Sequence, residues 1–181
     1  MMTKVDLEEL GTHDFYEQVK QFNHMYKLGS AERPELPTYK VLENFYKIVK
    51  EELEEVFPLA LTLNIMERDF PDGDYNEHEV VRILGELTDW VCDIIVYCNT
   101  FADRFGLPVK KGLDVIMQSN FSKLDEHGLP IYHPETGKVL KGPGYWKPEP
   151  ALREVISEER SHSFDIDNDV WLQDKKPGDA G

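Results

Sequence analysis

The sequence predicts an all-α protein, a bundle of four or five helices followed by a turn-rich C-terminal loop region. Two observations carry that expectation. Apolar residues recur three and four positions apart through several long segments, and capping residues or chain breakers stand at the ends of those segments. A third observation marks the loop region: residues 123–147 are crowded with Gly and Pro between polar residues.

The first helix is expected from Asp14 to Tyr26, where Phe15, Val19, Phe22 and Tyr26 fall at helical spacing. A loop with Gly29, Pro34 and Pro37 ends it. Thr38 is placed to cap a second helix whose apolar stripe is Leu42, Phe45, Val49, Leu53 and Val56. Pro58 is expected to kink or end that helix, with Leu59 to Met66 continuing helically before an exposed FPDGD turn. A long third helix is expected from Asn76 or Glu77 to Phe105, stopped by Gly106 and Pro108. Its buried side is read as Val80, Leu84, Leu87, Val91, Ile94, Ile95 and Cys98, with Trp90 and Phe101 at the margins. Residues 112–120 form a short fourth helix in this reading, and a small hairpin fits within the loop after it. A last helix runs from Pro150, suited to a first turn, to Ile156. The domain is thus expected over residues 1–156, with 157–181 an acidic, loosely held tail.

Composition narrows the function. A chain of 181 residues is long enough for one domain with a core, and 40% apolar content suits a soluble globular protein. The formal net charge of −15 argues against a nucleic-acid polymer as partner, because holding its backbone requires clustered Lys and Arg. Small phosphorylated ligands stay open, since a divalent cation can bridge acidic protein groups to acidic substrate oxygens. Cys92 and Cys98, six apart on one expected helix, are placed neither for a mutual disulfide nor as a zinc pair. The opening MMTKVDLEEL lacks an apolar signal core, and no stretch reaches about 18 uninterrupted apolar residues. A cytoplasmic protein without a membrane partner is the expectation.

Two acidic clusters lie within these apolar helical patterns. Glu51, Glu52 and Glu55 occur in KEELEEVF, and Glu86 and Asp89 in GELTDWVCDIIVY. A helix turns about 100° per residue, so carboxylates three or four apart can aim at one point. Glu52 falls within the sector of Phe45, Ile48 and Val56, where a charge is costly unless a cation or hydrogen bonds compensate it. Glu86, Asp89 and Asp93 form an acidic strip; Asp93 fits a supporting or purely structural role equally well. Such runs are also common as solvated helix faces. If a metal binds, hard oxygen donors favour Mg²⁺, or Mn²⁺, over zinc and copper. Glu159 with His162 is the one Glu-x-x-His pair and gives no di-iron motif. Asp165, Asp167 and Asp169 imitate the start of a calcium loop, but Val170 replaces the required Gly.

The E-E-x-x-E of Glu51, Glu52 and Glu55, and the E-x-x-D of Glu86 and Asp89, resemble the signature of the all-α nucleoside triphosphate pyrophosphohydrolases, the MazG and phosphoribosyl-ATP pyrophosphohydrolase-like superfamily. The downstream text QSNFSKLDEHGLPIYHPETGKVLKGPGYWKP is similar to the N-x-S-K and G-K-x-x-K blocks of the phosphoribosyl-ATP branch. The likeness covers most of residues 13–156; its departure is the long separation between Glu55 and Glu86.

The resemblance implies a MazG-like bundle that forms a homodimer or higher homo-oligomer. It implies Mg²⁺-dependent cleavage of an NTP or dNTP to the monophosphate and pyrophosphate. Glu51, Glu52, Glu55, Glu86 and Asp89 would be metal ligands, with one of Glu51, Glu52 and Glu55 also serving the attacking water. Asn120, Lys123, Lys138 and Lys141 would meet the substrate, with Tyr145 stacking on a base. Two other readings stand beside it: a catalytically idle helical interaction protein that binds a basic partner, and a phosphoribosyl-ATP pyrophosphohydrolase.

Overall fold

The computed structural model describes residues 14–173, with side chains described as far as Ser161. The expectations for MMTKVDLEEL and for the acidic side chains after Ser161 lie outside the described residues. Among the described residues there are six helices: α1 Phe15–Met25, α2 Tyr39–Glu54, α3 Val56–Asp69, α4 Glu77–Arg104, α5 Val109–Phe121 and α6 Pro148–Gln173. Among the described residues the only β pairing is an isolated antiparallel bridge between Tyr132 and Val139. The all-α class expected from the sequence is the one that forms, with the small hairpin reduced to that bridge.

Local chemistry explains most of the boundaries. Asp14 caps α1, its carboxylate accepting from the backbone N–H groups of Tyr16 at 3.0 Å and Glu17 at 3.1 Å. Thr38 caps α2 through Oγ1, and Asn76 caps α4 by accepting from the His78 N–H at 2.9 Å. Gly106 ends α4 in the left-handed region at φ 60, a conformation that penalises any side chain.

Three boundaries differ from expectation. The α2–α3 break falls at Glu55 rather than Pro58. Proline in a helix interior would lack the N–H for an i→i−4 bond, whereas in a first turn that N–H has no intrahelical partner anyway. Breaking three residues earlier therefore lets Pro58 begin a helix instead of ending one. The fifth helix starts at Val109, directly after Pro108, for the same reason. The last helix begins at Pro148 and continues to Gln173, well past Ile156, so residues 157–173 are helical where a loose tail was expected.

Two compact units form. In the first, residues 14–30 and 36–105, helices α1, α2 and α3 all pack on the long α4. Val19, Leu59, Ile83 and Ala102 are its buried apolar residues, and Phe45 stacks on Phe101 with centroids 4.1 Å apart. Asn23, fully buried, donates from Nδ2 to Asp103 at 2.7 Å and to the Thr100 carbonyl at 3.1 Å, tying α1 to the end of α4. In the second unit, residues 31–35 and 106–173, α5 packs on α6 and Lys111 pairs with Glu159 at 2.6 Å.

The buried side of α4 is rotated from its expected position. Trp90 and Phe101 turn inward to α2, while Leu84, Val91 and Ile95 remain 56%, 45% and 45% exposed. An apolar repeat identifies which residues want cover, but the apolar sector of α4 is wide, so periodicity alone does not say which neighbour each part of it meets. Among the described residues no helix is long and apolar enough to cross a membrane, and Cys92 and Cys98 are both free.

Candidate functional site

Glu52, in the last turn of α2, is the acid of the first unit on which Glu55, Asp89 and Asp93 act. Two contacts with α4 fix this residue. The Trp90 indole N–H donates to the Glu52 carbonyl at 2.8 Å, and the Tyr97 hydroxyl donates to the Glu52 carboxylate. One contact holds the backbone and the other aims the side chain. Trp90 and Tyr97 are seven apart, two full helical turns, so both reach the same side of α4.

Electrostatics single out the same residue. Burial first, then the like charges of Glu55, Asp93 and Asp89, push the Glu52 carboxyl above its ordinary value, and the Tyr97 hydrogen bond opposes the shift. The anion beside it reciprocally pushes the Tyr97 phenol up. Glu52 on α2 thus feels Glu55 on its own helix and Asp89 and Asp93 on α4. This concentration of negative charge is the kind that a dication or a proton relieves.

The other expected ligands are placed differently. Glu51 is exposed on α2. Glu86 is engaged on its own helix by Arg82, whose Nη1 lies 2.5 Å from Oε1, and the same guanidinium also grips Glu79 at 2.5 Å. This is a two-turn ion ladder in which one Arg spans partners three residues before and four residues after it. Among the described residues no three His, Cys, Asp or Glu side chains are grouped as a ready-made metal site. The donors around Glu52 suit a hard cation chemically, although they do not form a closed coordination set.

Beside the carboxylates lies a cleft of 540 Å³ between α1, α2 and α4. Phe22, Phe45 and Phe101 form its apolar walls, and Asp93 and Tyr97 line its border toward Glu52. The Thr100 hydroxyl, also in its lining, is enclosed without a hydrogen-bond partner.

The polar residues downstream belong to the second unit, where Asn120, Lys123, Lys141 and Tyr145 are brought together. Lys123 Nζ donates to Asn120 Oδ1 at 2.7 Å, one turn away at the end of α5. The Gly142 N–H then bonds the Lys123 carbonyl at 2.8 Å, laying the glycine loop against the helix end. A Cβ at Gly142 would overlap the Leu124 carbonyl oxygen, so this approach needs glycine. Tyr145 bonds back to the Gly142 carbonyl at 3.1 Å, and Lys141 Nζ sits 4.4 Å from the centre of its ring. The ring that was expected to stack on a base is therefore engaged by Lys141. Serines finish the anchor: buried Ser119 donates to the Trp146 carbonyl at 2.9 Å, and Ser122 accepts from the Trp146 N–H at 3.2 Å. Lys138 stands apart, exposed on the bridged turn.

Sequence reasoning did not single out Tyr97, Thr100, Ser119 or Ser122. Tyr97 had a signal, since it follows Asp93 by four residues and Asp89 by eight on one helical face. The serines had none, because their role depends on where the chain returns 24 and 27 residues later.

No family model and no curated protein matches the chain. A crystal structure from Exiguobacterium sp. 255-15, described as a "putative NTP pyrophosphohydrolase", is similar at 22% identity and a TM-score of 0.44, covering 83% of this chain and 98% of that one.

Proposed function

We propose that the protein is a Mg²⁺-dependent nucleotide pyrophosphohydrolase that cleaves an NTP or dNTP to the monophosphate and pyrophosphate. The observation that supports it most is Glu52: a carboxylate pinned by Trp90 and Tyr97, amid Glu55, Asp89 and Asp93, with its proton affinity raised. A carboxylate held in place beside the reacting phosphate can act as a general base. In this reading Glu52 takes a proton from water as the water oxygen attacks phosphorus. The α–β anhydride bond breaks, and its electron pair leaves with pyrophosphate.

Glu52, Glu55 and Asp89 would hold Mg²⁺, or Mn²⁺, with Glu51 and Glu86 completing the set. The ion would offset phosphate charge in a site that is otherwise strongly anionic. For Glu86 this role competes with Arg82, which already occupies one of its oxygens. Asn120, Lys123, Lys138 and Lys141 would meet phosphate oxygens, the lysines as flexible point charges. Tyr145 would steady Lys141 by the cation–π contact and leave base stacking to other rings.

The protein would act as a homo-oligomer. Val81, Leu84, Val91 and Ile95 leave an apolar stripe on α4 that is 45–59% exposed, at the i, i+3, i+4 spacing that another helix covers. A second copy is the partner that this stripe fits.

The decisive experiment incubates the protein with a panel of NTPs and dNTPs, with and without Mg²⁺, and separates the products. Monophosphate with pyrophosphate is expected. Orthophosphate alone, or no turnover with any nucleotide, overturns the proposal and leaves the idle interaction protein.

A further inference from the structure

The cleft between α1, α2 and α4 has a composition that the carboxylates do not explain. Its 540 Å³ lies within the roughly 300–1,000 Å³ range of small-molecule sites. Phe45 and Phe101 are stacked at an interplanar angle of 18°, and Phe22 adds another ring to the walls. Flat aromatic walls suit a flat ring as occupant, which stacks on or meets them edgewise. Asn44 adds an amide to the same lining.

Asp93 links this cleft to the site already described. It lines the cleft and is also one of the charges that raise Glu52. An occupant with a flat ring in the cleft would therefore place an attached phosphate chain beside Glu52. An ionised carboxylate only accepts hydrogen bonds. Amino groups of cytosine, adenine and guanine satisfy it, whereas uracil, thymine and hypoxanthine offer a single ring N–H next to carbonyl oxygens that repel it.

Resting on the hydrolase reading above, we propose that this cleft receives the substrate's nucleobase and that Asp93 selects bases bearing an exocyclic amino group. Asp93 is then a specificity-determining residue, and the Asn44 amide is a second polar group in the same lining. Discrimination comes from the unmatched case: a base without the amino group would leave the carboxylate facing carbonyl oxygens.

The test separates base recognition from phosphate chemistry. Binding of free nucleosides to the full chain is followed by NMR titration without divalent metal, comparing cytidine, adenosine and guanosine with uridine, thymidine and inosine. The amino-bearing set is expected to bind about tenfold more tightly. Asp93→Asn, which can donate as well as accept, should bring the two sets within about threefold of each other.

Equal binding of the two sets by the wild type, or a preference that survives Asp93→Asn, overturns the inference. An Asp93→Asn variant that keeps its base preference and changes only the Mg²⁺ requirement does so too, and moves Asp93 to the metal. A failed hydrolysis panel with the nucleoside preference intact sinks the catalytic reading and supports the cleft. Hydrolysis of all bases alike does the reverse.

Discussion

The carboxylate face of the first unit and the lysine platform of the second are held in opposite ways. On the platform the functional groups satisfy one another: Lys123 bonds Asn120, Lys141 rests over Tyr145, and Gly142 closes on the Lys123 carbonyl. On the acidic face they repel, and burial and neighbouring anions raise the proton affinity of Glu52. A satisfied cluster contributes to its own fold, while a frustrated one depends on contacts from outside the cluster, here Trp90 and Tyr97. The frustrated region is the one whose ligand would bring the larger gain.

The sharpest way to break that comparison is Glu52→Gln. It removes the proposed base and is expected to lower turnover by at least about 10²-fold. The folded pKa of Glu52 is raised above 4.5, so its contribution to stability is present below that value and is lost as pH rises through the folded value. Removing the charge should therefore leave the metal-free protein as stable or more stable at neutral pH. Wild-type turnover in the variant, or a clear fall in melting temperature, would show that the carboxylate is neither catalytic nor strained.

Gly142→Ala tests the satisfied side. Forcing a Cβ against the Leu124 carbonyl should cost about 1–3 kcal/mol, as overpacking does elsewhere, read as a lower denaturation midpoint. It should also reduce nucleotide affinity through Lys123 and Lys141. An unchanged midpoint would mean that the loop is not seated on the helix end.

Arg82→Met asks whether Glu86 belongs with the frustrated group or the satisfied one. Freed from its ion pair, a metal-binding Glu86 should lower the Mg²⁺ concentration for half-maximal activity by a few-fold. No change would remove Glu86 from the ligand set.

Trp90→Phe keeps the ring and deletes one hydrogen bond to the Glu52 carbonyl, worth about 1 kcal/mol in stability. If turnover falls further than stability does, the indole positions the carboxylate as well as the helix. Smallest of all should be the effect of Glu79, the satisfied acid on α4. Arg82 holds its carboxyl below the ordinary 4.5, so its contribution is present above 4.5 and is lost as pH falls through the folded value. Glu79→Gln should flatten that acid limb of the stability curve slightly, and added salt should hide the difference.

The sequence by itself determined the all-α class and several helix ends, because caps, breakers and apolar spacing act over a few residues: Asp14, Thr38, Asn76 and Gly106 stand where the chain turns. It also marked Glu52 as an inward charge, since its helical sector is readable from neighbours three and four away. Tertiary structure alone decided that Trp90 faces α2 while Leu84 and Val91 do not, that Arg82 takes Glu86, and that Gly142 closes on Lys123. A helix with a wide apolar sector, or an acid with several cations in reach, has more than one acceptable partner. The choice between them is made by contacts distant in the chain, which no local pattern records.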